Sequence, residues 1–379
     1  MRTTLTALRD LLRYSFLLFV LSLLFLTACD SSGTAEDEVE SGPVELLHAW
    51  EEADPSDVGM DADVLHGAFL AAAGIDRLKS LLVVKDGKLV MEHYLHGATS
   101  DDLFDVRSVT KSVVSTVVGI AIDEGKIPGV DTPIGNNLDF LSENMPEAIR
   151  SITVRNLLMM AGGWEGDGSI NASYSRWVNS GNTEAFLIDK PRVNDPGIVH
   201  SYSSSSVHLL SVLAAQFLEQ PFASYTDTRL LSQLGIVERE WEIFDSGYPN
   251  GGAGLDLKAR DLAKIGQLFL QRGMSGNRQI VSEEWVDEAS SPKFGFSFNW
   301  AGLTNVSYGY LWWTDETDGI SSYFAWGFGG QFIYVSPARN LVAVVTTDYD
   351  GVYQAIGGEN AIATAAMGVI SNHVLPAVE

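Results

Sequence analysis

The sequence predicts an α+β fold: one antiparallel sheet formed from N- and C-terminal strands, flanked by helices, with an inserted, mostly helical lobe. Three observations carry this. Residues 80–85 and 88–94 are rich in β-branched and apolar side chains and are separated by Asp86-Gly87, which reads as a β-hairpin with a type I′ turn. Residues 331–335 and 341–346 form a second strand pair around the turn Pro337-Ala338-Arg339-Asn340. Between the two clusters the pattern is mostly helical, over 153–160, 205–218, 259–272 and 282–289, and a helical tail covers about 360–373.

The chain opens on a segment that does not belong to that fold. Arg2, Arg9 and Arg13 form a basic start, and 14–26 is an apolar run too short to span a bilayer comfortably. Leu26-Thr27-Ala28-Cys29 follows and resembles a bacterial lipobox, which implies that residues 1–28 are a signal peptide and that Cys29 is lipidated. Several acyl chains, each methylene contributing about 0.8 kcal/mol, would anchor the protein firmly. The expected location is the bacterial cell envelope, on the periplasmic side of the inner membrane in a Gram-negative cell, because Asp30 follows the cysteine. Residues 29–43 are acidic and small, and read as a flexible linker. Residues 44–379 then form the folded domain, with a sheet lobe at 44–107 and 300–379 and a helical lobe at 108–299.

Within that domain, Ser108-Val109-Thr110-Lys111 is the most informative stretch. Residues 113–122 are apolar on every side, as in a helix buried all round. Positions i and i+3 share a helical face, so the Lys111 amine can reach the Ser108 hydroxyl. Burial disfavours the charged amine, and a neutral lysine can take the proton that makes serine a nucleophile. The same spacing recurs at Ser290-Ser291-Pro292-Lys293, where Pro292 and polar flanks give it no chemical context. The bland alternative for Ser108 and Lys111 is a capping serine beside a lysine that snorkels to solvent.

Further along, Tyr202 stands just before a helix start, where a phenol can enter a cleft, and Ser204 or Ser205 is placed to cap that helix. Trp164, Trp177, Trp312, Trp313 and Trp326 are candidates for an apolar acyl pocket. Charge narrows the partners. Removal of residues 1–28, with three arginines and one aspartate, leaves 21 basic and 48 acidic side chains, which argues against nucleic acid. The only cysteine is Cys29, so the folded domain can form neither a disulfide nor a thiolate metal site. The seven histidines never form His-Glu-x-x-His, there is no Gly-x-Ser-x-Gly elbow, and Gly327-Phe328-Gly329-Gly330 lacks the strand-to-helix context of a phosphate loop.

Ser108-x-x-Lys111, Tyr202-x-Ser204 and the glycine-rich strand near residue 327, in that order and at wide separation, resemble the serine β-lactamase and penicillin-binding superfamily. The likeness is to its class C-like branch, with family VIII carboxylesterases and 6-aminohexanoate-oligomer hydrolases, and spans about residues 50–375. It extends to Thr153-Val154-Arg155-Asn156-Leu157-Leu158, Gly252-Ala253-Gly254-Leu255 and Tyr334-Val335-Ser336-Pro337. It implies a β-lactamase/transpeptidase-like fold, catalysis by Ser108, Lys111 and Tyr202, an oxyanion hole from the amides of Ser108 and Phe328, and neither metal nor cofactor.

Two departures shape the expected substrate. Ser204 stands where the family usually has asparagine, and Ala325-Trp326-Gly327 where it has Lys/His-Thr/Ser-Gly. With Ser204, Ala325, Trp326 and Gly327 as substrate-binding positions, no cation remains to grip a carboxylate, a loss of about 1.5–3 kcal/mol for substrates that carry one. Gly327 keeps its place because a side chain there would block the backbone's approach to the reacting carbonyl. The expectation is a membrane-tethered esterase or amidase for small, uncharged acyl substrates. The alternatives are a D-alanyl-D-alanine carboxypeptidase or weak β-lactamase, and a catalytically poor penicillin-binding-like sensor. Oligomeric state is not legible.

Overall fold

The computed structural model describes residues 42–378 except 136, 139–145, 171 and 351–357. The segment read as a signal peptide, Cys29 and nearly all of the expected linker lie outside the described residues. Among the described residues no helix is long and apolar enough to cross a membrane.

The predicted hairpin is β1 (Leu78–Lys85) and β2 (Lys88–Tyr94). Asp86 and Gly87 both take positive φ, 51° and 76°, as a type I′ turn requires. Three short strands follow in the middle of the chain: β3 (Phe104–Asp105), β4 (Glu240–Trp241) and β5 (Leu255–Leu257), which pair in the order β3-β5-β4. A two-residue hairpin, β6 (Met274–Ser275) with β7 (Arg278–Gln279), stands apart. Six C-terminal strands complete the main sheet: β8 (Phe298–Trp300), β9 (Leu303–Tyr308), β10 (Trp313–Thr317), β11 (Ile320–Gly327), β12 (Gln331–Ser336) and β13 (Leu341–Thr347). Among the described residues the sheet has eight strands in the order β2-β1-β13-β12-β11-β10-β9-β8. Strand β1 pairs antiparallel with β13, Leu81 opposite Val345 and Val83 opposite Ala343, so both ends of the chain build one sheet.

Strand alternation splits the core into two layers. Leu81, Val83, Phe332, Tyr334, Ala343 and Val345 share one face with the buried residues of α1 (Ala62–Ala73) and of the C-terminal helix Gly358–Val369. Leu82, Val84, Ile333, Val335, Val342 and Val344 share the other with α2 (Val109–Asp123), α3 (Ser204–Leu218) and α4 (Ala259–Leu270). Each buried Val, Leu or Ile contributes about 1.5–3 kcal/mol. Helix α4 falls in the stretch read as the inserted lobe, yet it packs directly on the sheet. A Cβ at Gly266 would stand 2.6 Å from Val342 Cγ1 and 2.7 Å from Ile333 Cγ2, so glycine lets helix and sheet meet. The part of the chain between the strand clusters is therefore helical without being a lobe apart over its whole length.

Helix α2 is buried from Val109 to Ala121, in keeping with the apolar residues on every side of 113–122. Its close approach to α5 (Glu283–Ala289) depends on Gly119, where a Cβ would stand 2.4 Å from the Trp285 ring. Packing on all sides fixes this helix, and with it the groups at its first turn.

Candidate active site

Ser108 immediately precedes α2, with φ −70° and ψ −5°, and its hydroxyl caps no backbone N–H of the helix. Lys111 lies one turn on, its Nζ 2.6 Å from Ser108 Oγ. Lys111 is only 1% exposed, so the reading of a capping serine beside a snorkelling lysine does not describe this pair. The amine also donates to the Gly252 carbonyl at 2.6 Å. Burial pulls the Lys111 pKa down from 10.5 to about 7, opposed by the negative charge of Asp167 and reinforced by the positive charge of Arg107. Near neutral pH much of the amine is therefore unprotonated and able to accept the serine proton.

The surroundings hold both groups from two sides. Strand β3 pairs with β5, and the Val106 N–H donates to the Leu255 carbonyl at 3.0 Å, two residues before Ser108. The turn that bears the Gly252 carbonyl is set by Asn250, a fully buried amide whose Oδ1 accepts from the N–H groups of Gly252 and Ala253, each at 3.0 Å. Gly252 also touches the start of α3, where a Cβ would stand 2.8 Å from the Ser204 carbonyl oxygen. The Gly-Ala-Gly-Leu stretch noted in the sequence thus supplies the acceptor for Lys111 and the strand beneath Ser108.

Tyr202 is half-buried, and its ring centroid lies 5.0 Å from Lys111 Nζ. Ser108, Lys111 and Tyr202, 94 residues apart in number from first to last, are thereby brought together. The Tyr202 ring stacks on Trp313, with centroids 6.2 Å apart and planes 19° apart. The cap of α3 is Ser203, whose hydroxyl accepts from the Ser206 N–H at 3.3 Å, rather than Ser204 or Ser205. Ser204 turns instead to Asp167.

Asp167 is the residue that sequence reasoning missed. Ser204 N–H lies 3.0 Å from both of its carboxylate oxygens, and Ser204 Oγ donates to Oδ2 at 2.7 Å. The Asp167 N–H donates to the Tyr202 carbonyl at 2.7 Å, and Gly166 allows that approach, since a Cβ there would stand 2.6 Å from the same oxygen. Burial raises the Asp167 pKa and the charge of Lys111 draws it back. The only sequence signal was a carboxylate inside a run of glycines, Gly162, Gly163, Gly166 and Gly168.

The third motif differs from expectation in three places. Ala325 has no exposed surface and belongs to the core layer of Val109 and Val113, so it packs beneath α2 rather than lining a cleft. Trp326 alternates to the opposite face of β11, where it stacks on Trp300 with centroids 4.3 Å apart. It reaches the Tyr202 side only through Trp313, 5.3 Å away. Gly327 is required because its backbone meets the chain leading to Ser108. A Cβ there would stand 2.3 Å from the Val106 carbonyl oxygen, so the fold itself requires glycine. Of the other tryptophans, Trp164, Trp177 and Trp312 are core residues, while Trp313 is half-buried beside Tyr202.

Phe328 lies in the turn between β11 and β12, closed by the Gly330 N–H donating to the Gly327 carbonyl at 3.1 Å. Gly329 has φ 79°, and its carbonyl accepts from Thr347 Oγ1 at 2.7 Å. Thr347 is held in turn by the buried Gln331 side chain, which donates to its carbonyl at 2.9 Å and accepts from its N–H at 3.0 Å. The backbone around Phe328 is thus pinned to the end of β13.

The model of the Beta-lactamase family matches residues 77–365. The 6-aminohexanoate-dimer hydrolase of Paenarthrobacter ureafaciens is 24% identical over 298 residues, 70% of this chain and 71% of that protein. Among solved structures, a Bacillus anthracis protein assigned as a 6-aminohexanoate-dimer hydrolase has a TM-score of 0.68 at 18% identity, covering 88% of each chain. EstCE1, a hydrolase with promiscuous acyltransferase activity, has a TM-score of 0.64 at 15% identity, covering 81% of this chain and 98% of its own. The structural likenesses show the β-lactamase/transpeptidase-like fold, and with three-quarters of the sequence matched by the family model, the chain belongs to the Beta-lactamase family of serine hydrolases.

Proposed function

We propose that this protein cleaves small, uncharged carboxylic esters or amides through an acyl-enzyme on Ser108, as a membrane-tethered hydrolase. The observation that carries the reading is the contact between a fully buried amine and a half-buried serine hydroxyl, Lys111 Nζ and Ser108 Oγ at 2.6 Å. Ser108 Oγ attacks the carbonyl carbon while neutral Lys111 takes its proton. The amides of Ser108 and Phe328 receive the negative charge that develops on the carbonyl oxygen, and losing one such donor typically costs about a hundredfold or more in rate. The tetrahedral species collapses, and the leaving alcohol or amine takes a proton passed from Lys111 through the Tyr202 hydroxyl. Water, deprotonated by the same pair, then attacks the acyl-serine and regenerates Ser108.

The missing third-motif cation favours uncharged acyl groups over β-lactams and peptides ending in D-alanine. The 6-aminohexanoate-dimer hydrolase among the relatives supports amide as well as ester substrates. The lipobox-like Leu26-Thr27-Ala28-Cys29 supports the tether.

A fluorophosphonate probe tests the chemistry. Wild-type protein should be labelled at Ser108, and Ser108→Ala should lose labelling and hydrolysis together. An adduct on another serine, with activity surviving in Ser108→Ala, would overturn the mechanism. For the tether, metabolic labelling with an alkyne fatty acid should mark the wild type and spare Cys29→Ser. An unmarked wild type would exclude the anchor.

A further inference from the structure

Arg107 precedes the nucleophile in a left-handed backbone conformation, φ 50°, which a non-glycine residue adopts only when its surroundings hold it there. What holds it is visible. Its N–H donates to Asp105 Oδ1 at 2.8 Å, and its guanidinium lies 3.4 Å from Asp105 Oδ2. The guanidinium carbon lies 5.1 Å from the ring centroid of Tyr174, 5.1 Å from that of Tyr349 and 5.9 Å from that of Phe328. Among the described residues the buried Nε finds no hydrogen-bond partner, so aromatic faces hold that edge of the plane.

These rings belong to the segments that surround Ser108. The Phe328 and Tyr349 rings meet edge to face with centroids 5.9 Å apart, and the Tyr349 hydroxyl donates to Asp105. Gly329 fits against Tyr349 only because it lacks a Cβ, which would stand 2.5 Å from Tyr349 Cβ. The Tyr174 hydroxyl accepts from Asn250, the amide that sets the Gly252 turn. One side chain therefore touches Phe328, the residue after Gly327, and Tyr174, which bonds the amide that sets the Gly252 turn, while its own backbone leads into Ser108.

We propose that Arg107 is a positioning residue that fixes the separation between the Ser108 and Phe328 amides, and so the geometry of the oxyanion hole. This rests on the acyl-enzyme reading above. A planar guanidinium can lie against three rings at once, whereas lysine offers a point charge and methionine none. Misplacing a reacting group by about 1 Å costs about a hundredfold, and the expected effect is on the rate of attack rather than on substrate binding.

The test compares wild type, Arg107→Lys and Arg107→Met by the second-order rate of fluorophosphonate labelling at Ser108 and by kcat and KM for p-nitrophenyl butyrate. Thermal unfolding establishes which variants are folded. The expected result is that labelling and kcat fall together by about tenfold or more in both variants, with KM little changed. The acid limb of the pH–rate profile should move up in Arg107→Met and hold its place in Arg107→Lys, because only the former removes a positive charge near Lys111. If Arg107→Met does not fold, Tyr349→Leu loosens the same contact from the far side and should slow labelling with KM held. A wild type that labels normally alongside folded variants of unchanged rate, or variants whose loss lies wholly in KM, would overturn this inference alone. A wild type that fails to label at Ser108 would remove the acyl-enzyme reading and this inference with it.

Discussion

Asp167 grips Ser204 through both its backbone N–H and its hydroxyl. It also stands close enough to Lys111 for each charge to move the other's titration. The position where the family usually carries an amide therefore leads to a carboxylate here, and the charge of the site near the lysine is altered.

That relationship sets the pH dependence. Lys111 must be neutral to accept the serine proton, and its pKa is about 7, so kcat/KM should rise with pH through that region. Asp167 favours the protonated amine. Asp167→Asn keeps a carbonyl oxygen for the Ser204 hydroxyl but removes the charge, so the limb should shift to lower pH. A profile from pH 5 to 9 on both proteins checks this, and a limb that moves up or stays fixed counts against the coupling.

Lys111 and Tyr202 are expected to act as one relay. Lys111→Ala and Tyr202→Phe should each lower kcat by roughly a hundredfold or more. The double variant should be little worse than either, because groups that act as a unit do not add. Losses that multiply would reduce one of the two to a structural part.

Gly327→Ala should be costly because of the backbone its Cβ would meet. The added carbon would stand 2.3 Å from the Val106 carbonyl oxygen, which is backbone and cannot rotate away. Overpacking of that kind costs about 1–3 kcal/mol. A lowered melting temperature with slowed Ser108 labelling is expected, and wild-type values for both would show that β11 can move freely.

Wild-type protein should turn over p-nitrophenyl butyrate better than nitrocefin, since no third-motif cation receives the carboxylate of the latter. Grafting the cation back should not rescue it. Ala325 is enclosed, so Ala325→Lys buries an unpaired charge and should destabilise the protein by about 3 kcal/mol or more. Chemical denaturation measures the cost. A stable Ala325→Lys protein with improved nitrocefin hydrolysis would place Ala325 in the cleft after all.

The hairpin around Asp86-Gly87 and the buried helix after Ser108 were legible because local chemistry decides them. One needs positive φ at two successive residues, and the other carries apolar residues on every side. Strands β8 to β10 were not foreseen, because 298–317 mixes aromatic, polar and acidic residues on an edge of the sheet where one face remains partly open. Ser108, Lys111 and Tyr202 were legible through spacing and order. Asp167 and Arg107 were not, since their roles come from neighbours that the fold brings in, Ser204 from 37 positions away and Tyr349 from far down the chain. Alternation along β11 was legible in principle, and it puts Ala325 and Trp326 on opposite faces.

The pairing of β1 with β13 also governs when the enzyme can exist. The first strand of the main sheet to be synthesised waits for the last, roughly 260 residues later, and such remote pairings make folding slow. Ser108 and Lys111 leave the ribosome long before Phe328, Gln331 and Thr347, so the nascent chain carries its reactive pair without the turn that completes the site. Acylation is therefore expected only once that turn is in place. A fragment ending at residue 320 should leave a fluorophosphonate untouched, whereas the full chain consumes it.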